Sequence, residues 1–235
     1  MKIEKKITFS ECNYRSFTPL EEILKISENM ITQTLEEISL DNVSLKEKCH
    51  GMWVFTHNKV HVDSRPYYNQ TIRICCEIVK SNALFAYIRT IFINEEGKCI
   101  VTVLTELCAI DIVSFRFLRL TAIDFPKVNQ EIDTSYDFEN IPYDESVTRE
   151  VLPSMLDSSM HLNNVKSISM YFDTFSLEEL DSFYAHSYDF IIKYNAQGKY
   201  NDTLTLAKGK RDNIYGYELK SADGKCIVTA QIVYH

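Results

Sequence analysis

Gly97-Lys98-Cys99-Ile100-Val101-Thr102 returns later in the chain as Gly224-Lys225-Cys226-Ile227-Val228-Thr229. Six identical residues can match by chance, so the repeat needs a second match in the same order. Upstream, Tyr68-Asn69-Gln70-Thr71-Ile72 pairs with Tyr200-Asn201-Asp202-Thr203-Leu204. The offsets are 127 and 132 residues, a difference that a shorter hairpin loop in the second half would absorb. Order-preserving repetition at long period signals a duplicated unit. The chain therefore reads as two copies of one unit, each a little over about 100 residues.

The elements within each copy follow from periodicity. In the first, Thr18-Pro19-Leu20-Glu21 reads as a helix start, with Thr at the N-cap, Pro at the first helical position and Glu able to bond back to the cap. Leu20, Ile23, Leu24, Ile31, Leu35 and Ile38 then recur at helical spacing and make one apolar stripe. Strand-like segments follow at about 52–62, 71–79, 84–93 and 98–112. In one of them Ile72, Ile74, Cys76 and Ile78 alternate with Arg73, Cys75 and Glu77, the period of a half-buried strand. Asn94-Glu95-Glu96-Gly97 supplies a hairpin turn. The second copy repeats the order: a helix over 163–175, a short helix capped by Ser176 with Glu179, and strands near 189–194, 203–208, 214–219 and 225–234. A long helix followed by an antiparallel meander, twice, is an α+β arrangement. The division expected is 1–125, an acidic linker or surface crossing at 126–147, and 148–235. Residues 121–147 hold seven acidic side chains against one Lys, with Pro126 and Pro142 and no sustained period.

Composition narrows the class. The chain has 235 residues, 45% of them hydrophobic, with only 6 Gly and 5 Pro, which excludes disordered and low-complexity architectures. A net charge of −8 disfavours general attraction to nucleic acid or anionic lipid. Apolar runs such as 83–88 are far shorter than the roughly 20 residues of a membrane-spanning helix. The charged start Met1–Lys6 has no apolar segment behind it, so no secretion signal is expected. Seven scattered cysteines without a Cys-x-x-Cys pair suit free thiols and a cytoplasmic location.

Nucleophile-elbow, phosphate-loop and dinucleotide fingerprints are absent. His57 and His61 have the spacing of two metal ligands on a helix, but Trp53, Val54, Phe55, Val60 and Val62 make the segment a strand. There i and i+4 lie about 13 Å apart, so no metal is assigned to the pair. The stretch Asp157-Ser158-Ser159-Met160-His161-Leu162-Asn163-Asn164-Val165-Lys166 is richer. It joins an acid and an imidazole across a polar turn, next to an Asn pair able to cap the following helix. Such a junction can orient a His for acid–base work and offer helix-start N–H groups to an oxyanion. The plain alternative is a polar loop with its N-cap.

This stretch resembles the acyl-ACP thioesterases of plants and bacteria, whose second half carries Asp-x-Asn-x-His-x-Asn-Asn-Val-Lys. Asp157, His161, Asn163, Asn164, Val165 and Lys166 match, six of the seven specified positions. Gly51-Met52-Trp53-Val54 and Val60-His61-Val62-Asp63-Ser64-Arg65-Pro66 look like the family's Trp-containing strand and the turn after it. The resemblance thus spans most of the chain and implies two tandem hot-dog units, each an antiparallel sheet wrapped around a long helix. It also implies catalytic positions at Asp157, Ser159 (Asn in the family), His161 and Gln197, the last where the family has the Glu of Tyr-x-x-Glu and this chain has Tyr194-Asn195-Ala196-Gln197. Where plant members often carry Cys, this chain has Gly198. A water placed by His161 and Ser159 would attack the thioester, with Asp157 fixing the imidazole and N–H groups near Asn163 and Asn164 holding the oxyanion.

The resemblance implies hydrolysis of fatty acyl thioesters of acyl carrier protein in fatty acid biosynthesis, without cofactor. The acylated carrier is the expected partner, and the chain a monomer or homodimer. Because both proteins are acidic, docking calls for a local basic patch, and Arg116 with Arg119, or Lys208 with Lys210 and Arg211, are the candidates. A non-catalytic module that binds or senses acyl thioesters, and an acyl-CoA thioesterase, are the alternatives.

Overall fold

The computed structural model describes residues 1–235 and divides them into two compact units. The first comprises Met1–Val60 and Ser64–Ser135, the second His61–Asp63 and Tyr136–His235. In the first, β1 (Lys2–Lys6) precedes α1 (Leu20–Glu37), α2 (Asn42–Cys49), β2 (Gly51–Val62), β3 (Thr71–Ser81), β4 (Phe85–Ile93) and β5 (Cys99–Asp111). In the second, β6 (Glu145–Glu150) precedes α3 (Asn164–Phe172), α4 (Leu177–Ala185), β7 (Tyr188–Tyr194), β8 (Thr203–Arg211), β9 (Ile214–Ser221) and β10 (Cys226–Tyr234). Strand order is β1-β3-β4-β5-β2 within the first unit and β6-β8-β9-β10-β7 within the second, the same order element for element.

The duplication extends to single hydrogen bonds. Asn69 and Asn201 both take positive φ, 71° and 65°. Asn69 N–H donates to Ile7 O and Asn201 N–H to Val151 O. Gly97 and Gly224 lie at φ 81° and 82°, a turn conformation that L side chains resist. The thiols of Cys99 and Cys226 donate to the carbonyls of Val101 and Val228. The five-residue shortfall of the second copy is spread over a shorter β8, a shorter β9 and shorter turns on both sides of β9, rather than one loop.

Each sheet curves over a helix because the helix presents one apolar face. In the first unit α1 turns Leu20, Ile23, Leu24, Met30, Ile31 and Leu35 inward, each 3% exposed or less, against β3 and β4. Each such side chain contributes roughly 1.5–3 kcal/mol as an upper estimate. From β3, Ile72, Ile74 and Cys76 meet this face while Arg73 and Glu77 stay exposed. The expected alternation breaks at Ile78, where the β3–β4 register shifts and Val79 becomes the inward residue. In the second unit the aromatic side chains fill the same role. Tyr171 of α3 stacks on Tyr217 at 4.4 Å between centroids, Phe175 lies 5.0 Å from Tyr171, and Phe172 reaches Phe183 of α4 at 5.3 Å.

Four sequence expectations need correction. The N-cap of α1 is Pro19, not Thr18, and no side chain caps it; Thr18 N–H instead donates to Pro66 O. The helix α2 was not anticipated, though Asp41 caps it by accepting from Val43 and Ser44 N–H. Third, α3 ends at Phe172 with Asp173 as its C-cap, three residues short of the stretch expected. Residues 126–147 are not simply a linker. Val128 and Gln130 bond to Ser81 and Val79 in the first unit, Glu139 bonds to Gln231 in the second, and β6 begins at Glu145. The capping box expected at Ser176 and Glu179 is present at the start of α4.

Candidate active site

The segment from Asp157 to Asn164 lies in the second unit between β6 and α3. Its turn is closed by one carboxylate oxygen: Asp157 Oδ1 accepts from Ser159 N–H at 2.8 Å and His161 N–H at 3.1 Å. Asp157 N–H donates to His161 O, and Met160 takes φ 63° to complete the turn. The next residues pair with the strand end that carries the Tyr194–Gln197 stretch. Leu162 N–H donates to Gly198 O at 2.8 Å, and His161 forms a bridge with Lys199. A side chain at Gly198 would press on Leu162, whose Cβ lies 3.2 Å from where a new Cβ would stand. Backbone pairing therefore sets His161 opposite Lys199, two residues along the segment from Gln197.

The first unit builds the same turn. Asn13 Oδ1 accepts from Arg15 and Phe17 N–H, Asn13 N–H donates to Phe17 O, and Ser16 takes φ 63°. Thr18 N–H donates to Pro66 O as Leu162 does to Gly198, and Phe17 bridges Tyr67 as His161 bridges Lys199. In this correspondence Asn13 stands for Asp157, Phe17 for His161 and Arg65 for Gln197. The turn is thus a structural device of the unit, and its fifth residue is what differs chemically.

This geometry revises two expected roles. Asp157 holds His161 through its backbone N–H, and no carboxylate bonds to the imidazole; His161 Nδ1 is buried without a partner, which leaves Nε2 as the ring nitrogen a ligand can reach. The N–H groups around Asn163 are largely committed as well. Asn163 Oδ1 accepts from Val165 and Lys166 N–H as the N-cap of α3, and Asn163 N–H donates to Met155 O. Asn164 N–H, at the positive end of the helix, is the first-turn amide left for an anion. Ser159 and Gln197 are exposed. Gly198 after Gln197 supplies no thiol, and the Cys108 thiol of the first unit is pushed up to about 11 by burial.

Of the two basic clusters, Arg116 and Arg119 are exposed on the hairpin after β5, among Val113, Phe115 and Phe117 at 78%, 69% and 56% exposure. The other cluster is spent on structure. Lys208 is 5% exposed, donates to Thr174 O at 3.0 Å, and pairs with Glu179 and Glu145. Arg211 is bonded to Asn140 O and Glu139, and the Lys210 ammonium lies over the Tyr215 ring. Burial and internal pairing remove Lys208 as a docking residue.

His57 and His61 diverge, as a strand requires. His57 Nδ1 meets Glu106 Oε1 at 2.7 Å in the first unit, and Thr56 Oγ1 donates to the same oxygen. Burial acts to raise the Glu106 carboxyl pKa, but bonds from His57, Thr56 and Tyr87 outweigh it and hold the group below its ordinary value. The sequence signal for this pair is Glu106 itself, the one charged residue between Ile100 and Ile110. His61 Nδ1 turns instead to Asp189.

Comparison with known proteins agrees with the duplicated architecture. Two solved structures resemble the chain over its whole length: an acyl-ACP thioesterase from Bacteroides thetaiotaomicron VPI-5482 and a 12:0-ACP thioesterase from Umbellularia californica. The first has a TM-score of 0.87 at 15% identity, covering 100% of this chain and 97% of the other. The second has a TM-score of 0.84 at 14% identity, covering 100% and 96%. Each unit is accordingly a hot-dog fold, and the chain a double hot-dog. No curated protein matches the sequence. No helix is long and apolar enough to cross a membrane. Residues 2–121, half of the chain, match the family model described as the acyl-ACP thioesterase N-terminal domain, and with the repeated fold this places the chain in the acyl-ACP thioesterase family.

Proposed function

We propose that the chain hydrolyses fatty acyl thioesters of acyl carrier protein to free fatty acid, as a cytoplasmic step of fatty acid biosynthesis. The observation that carries this reading is His161: an imidazole on a closed turn, its Nδ1 buried and Nε2 left to a ligand, just before the N-terminus of α3 and paired with Lys199, two residues past Gln197. His161 takes a proton from water as the water oxygen attacks the thioester carbonyl. Asn164 N–H and the α3 dipole stabilise the resulting oxyanion. Collapse breaks the C–S bond, and the proton on His161 goes to the departing thiolate. Asp157 acts in this scheme as a positioning residue that fixes the turn. Gln197 orients water or substrate by hydrogen bonds and takes no proton.

The test is thiol release from carrier-protein thioesters of graded chain length, with the matching acyl-CoA series beside them. Release from the carrier-protein series is expected. Saturable binding without release would instead support an acyl-thioester-binding module, the reading favoured by Gln197 standing where the family has Glu. Preference for the CoA series would make the chain an acyl-CoA thioesterase.

For the docking surface we retain the Arg116 and Arg119 hairpin, whose charge and exposed apolar rings suit an acidic partner with a hydrophobic contact patch. Reversing both charges, Arg116→Glu with Arg119→Glu, should raise KM for the carrier-protein substrate about tenfold and flatten its salt dependence. The acyl-CoA rate measured beside it should change little. Equal losses on both substrates would place the effect elsewhere.

A further inference from the structure

His61, Asp189 and His235 form a second cluster that the hydrolytic scheme does not use. All three belong to the second unit, which takes in the end of β2. His61 Nδ1 lies 2.8 Å from Asp189 Oδ1, and His235 Nε2 lies 2.8 Å from Asp189 Oδ2. The ligating atoms are all within 4.8 Å of one another. The two rings have centroids 6.3 Å apart, so both imidazoles converge on one carboxylate from different sides.

We propose that His61 Nδ1, a carboxylate oxygen of Asp189 and His235 Nε2 bind one divalent transition-metal ion of borderline softness, Zn²⁺ being the natural occupant. Two imidazoles and one carboxylate are the donor set of such ions, whereas Mg²⁺ and Ca²⁺ call for oxygen donors and Cu(I) for thiolates. A tetrahedral shell with bonds of about 2.0–2.1 Å spaces its donors by about 3.4 Å. The donor distances here, two at 2.8 Å and all within 4.8 Å, bracket that spacing.

The backbone places the ligands firmly. His61 is near the end of β2 and Asp189 near the start of β7, and His235 N–H donates to Ser187 O at 3.0 Å. The side chains are 53%, 37% and 46% exposed, in the order His61, Asp189, His235, so the remaining coordination positions face water. On binding, each imidazole presents a lone pair at the nitrogen that now bonds Asp189 and carries its proton on the other ring nitrogen. The metal would link three segments that no disulfide joins.

Titration of the metal-free full chain with Co²⁺ and Zn²⁺ tests this, read by calorimetry, the cobalt d–d spectrum and thermal melting. One saturable equivalent is expected, with a cobalt spectrum of nitrogen and oxygen donors and a rise in melting temperature. His61→Ala, Asp189→Asn and His235→Ala should each weaken binding at least about tenfold. Because these side chains are largely at the surface, the variants should melt within a few degrees of the metal-free parent. His57→Ala, whose ring pairs with Glu106, should bind as the parent does. The proposal is overturned by unchanged affinity in all three variants, by no binding in the parent, or by a thiolate charge-transfer band showing the metal on cysteine. The outcome is independent of whether His161 supports hydrolysis.

Discussion

His161→Phe is expected to leave the second unit folded and to lower thioester hydrolysis by about 10²–10⁴-fold, the range of a lost general base. Phe is the informative substitution because the first unit already carries it. Phe17 occupies the same fifth position of the same turn, pairs with the following segment in the same way, and is followed by a residue bonded to the same partner position. An aromatic side chain of similar width therefore fits, and the substitution removes the ring nitrogens without opening a cavity. The companion variant is Asp157→Asn. The first unit closes its turn with the Asn13 side-chain oxygen, so an amide at position 157 should still accept from Ser159 and His161 N–H. Its melting temperature should match the parent, and kcat should fall less than about tenfold if Asp157 only positions the turn. Both variants are read by thiol release and thermal melting. Unchanged turnover in His161→Phe would end the hydrolytic reading of this residue, and a loss in Asp157→Asn as deep as in His161→Phe would give the carboxylate a direct part in the chemistry.

The duplication was legible in the sequence because turns impose residue identity. Asn69 and Asn201 take left-handed backbone, and Gly97 and Gly224 sit at φ near 80°, so these positions kept their residues where the strands between them drifted. Strands were readable wherever one face is buried, as in Ile72, Ile74 and Cys76. The alternation failed at Ile78 because a register shift between strands leaves no mark in a single strand's pattern. Strand β6 was hidden for a related reason: Glu145–Glu150 is an exposed edge paired only with β8, and an edge strand with two wet faces has no period to read. At the site, the spacing set Asp157 and His161 at the two ends of one polar turn and Asn163 at the cap of the helix after it, which is their arrangement in the structure. It did not convey that the Asp157 carboxylate is spent on backbone N–H groups, because a side chain that orients a ring and one that closes a turn have the same spacing. The His61, Asp189 and His235 cluster draws on three distant stretches of chain, and no local pattern announces it.

Gly209→Ala is expected to destabilise the second unit by about 3 kcal/mol or more, a fall of roughly 6–12 °C in melting temperature for a chain of this size. The reason is a backbone approach rather than a turn. Gly209 of β8 pairs with Gly216 of β9, and the segment before β6 crosses directly over this pair. A Cβ added at Gly209 would stand 1.9 Å from Pro142 O and 2.9 Å from Pro142 C, and backbone atoms cannot swing aside as a side-chain tip can. The crossing would have to lift, and its ties would go with it: Asp144 N–H to Lys208 O, Arg211 to Asn140 O and Glu139, and the burial of Ile141 at 4% exposure. Gly216→Ala is the graded control. Its new Cβ would meet Ile141 Cβ at 3.2 Å and Cδ1 at 3.3 Å, contacts relieved by a shift of a few tenths of an ångström, so about 1 kcal/mol is expected. Gly97→Ala tests a different cost, since nothing lies within 4 Å and only the positive φ opposes a side chain, again worth about 1–2 kcal/mol. Urea denaturation of the three variants should therefore rank Gly209 well above the other two. Equal effects at Gly209 and Gly97 would mean that the crossing over β8 and β9 gives way easily, and that residues 136–144 are not held on the sheet as described.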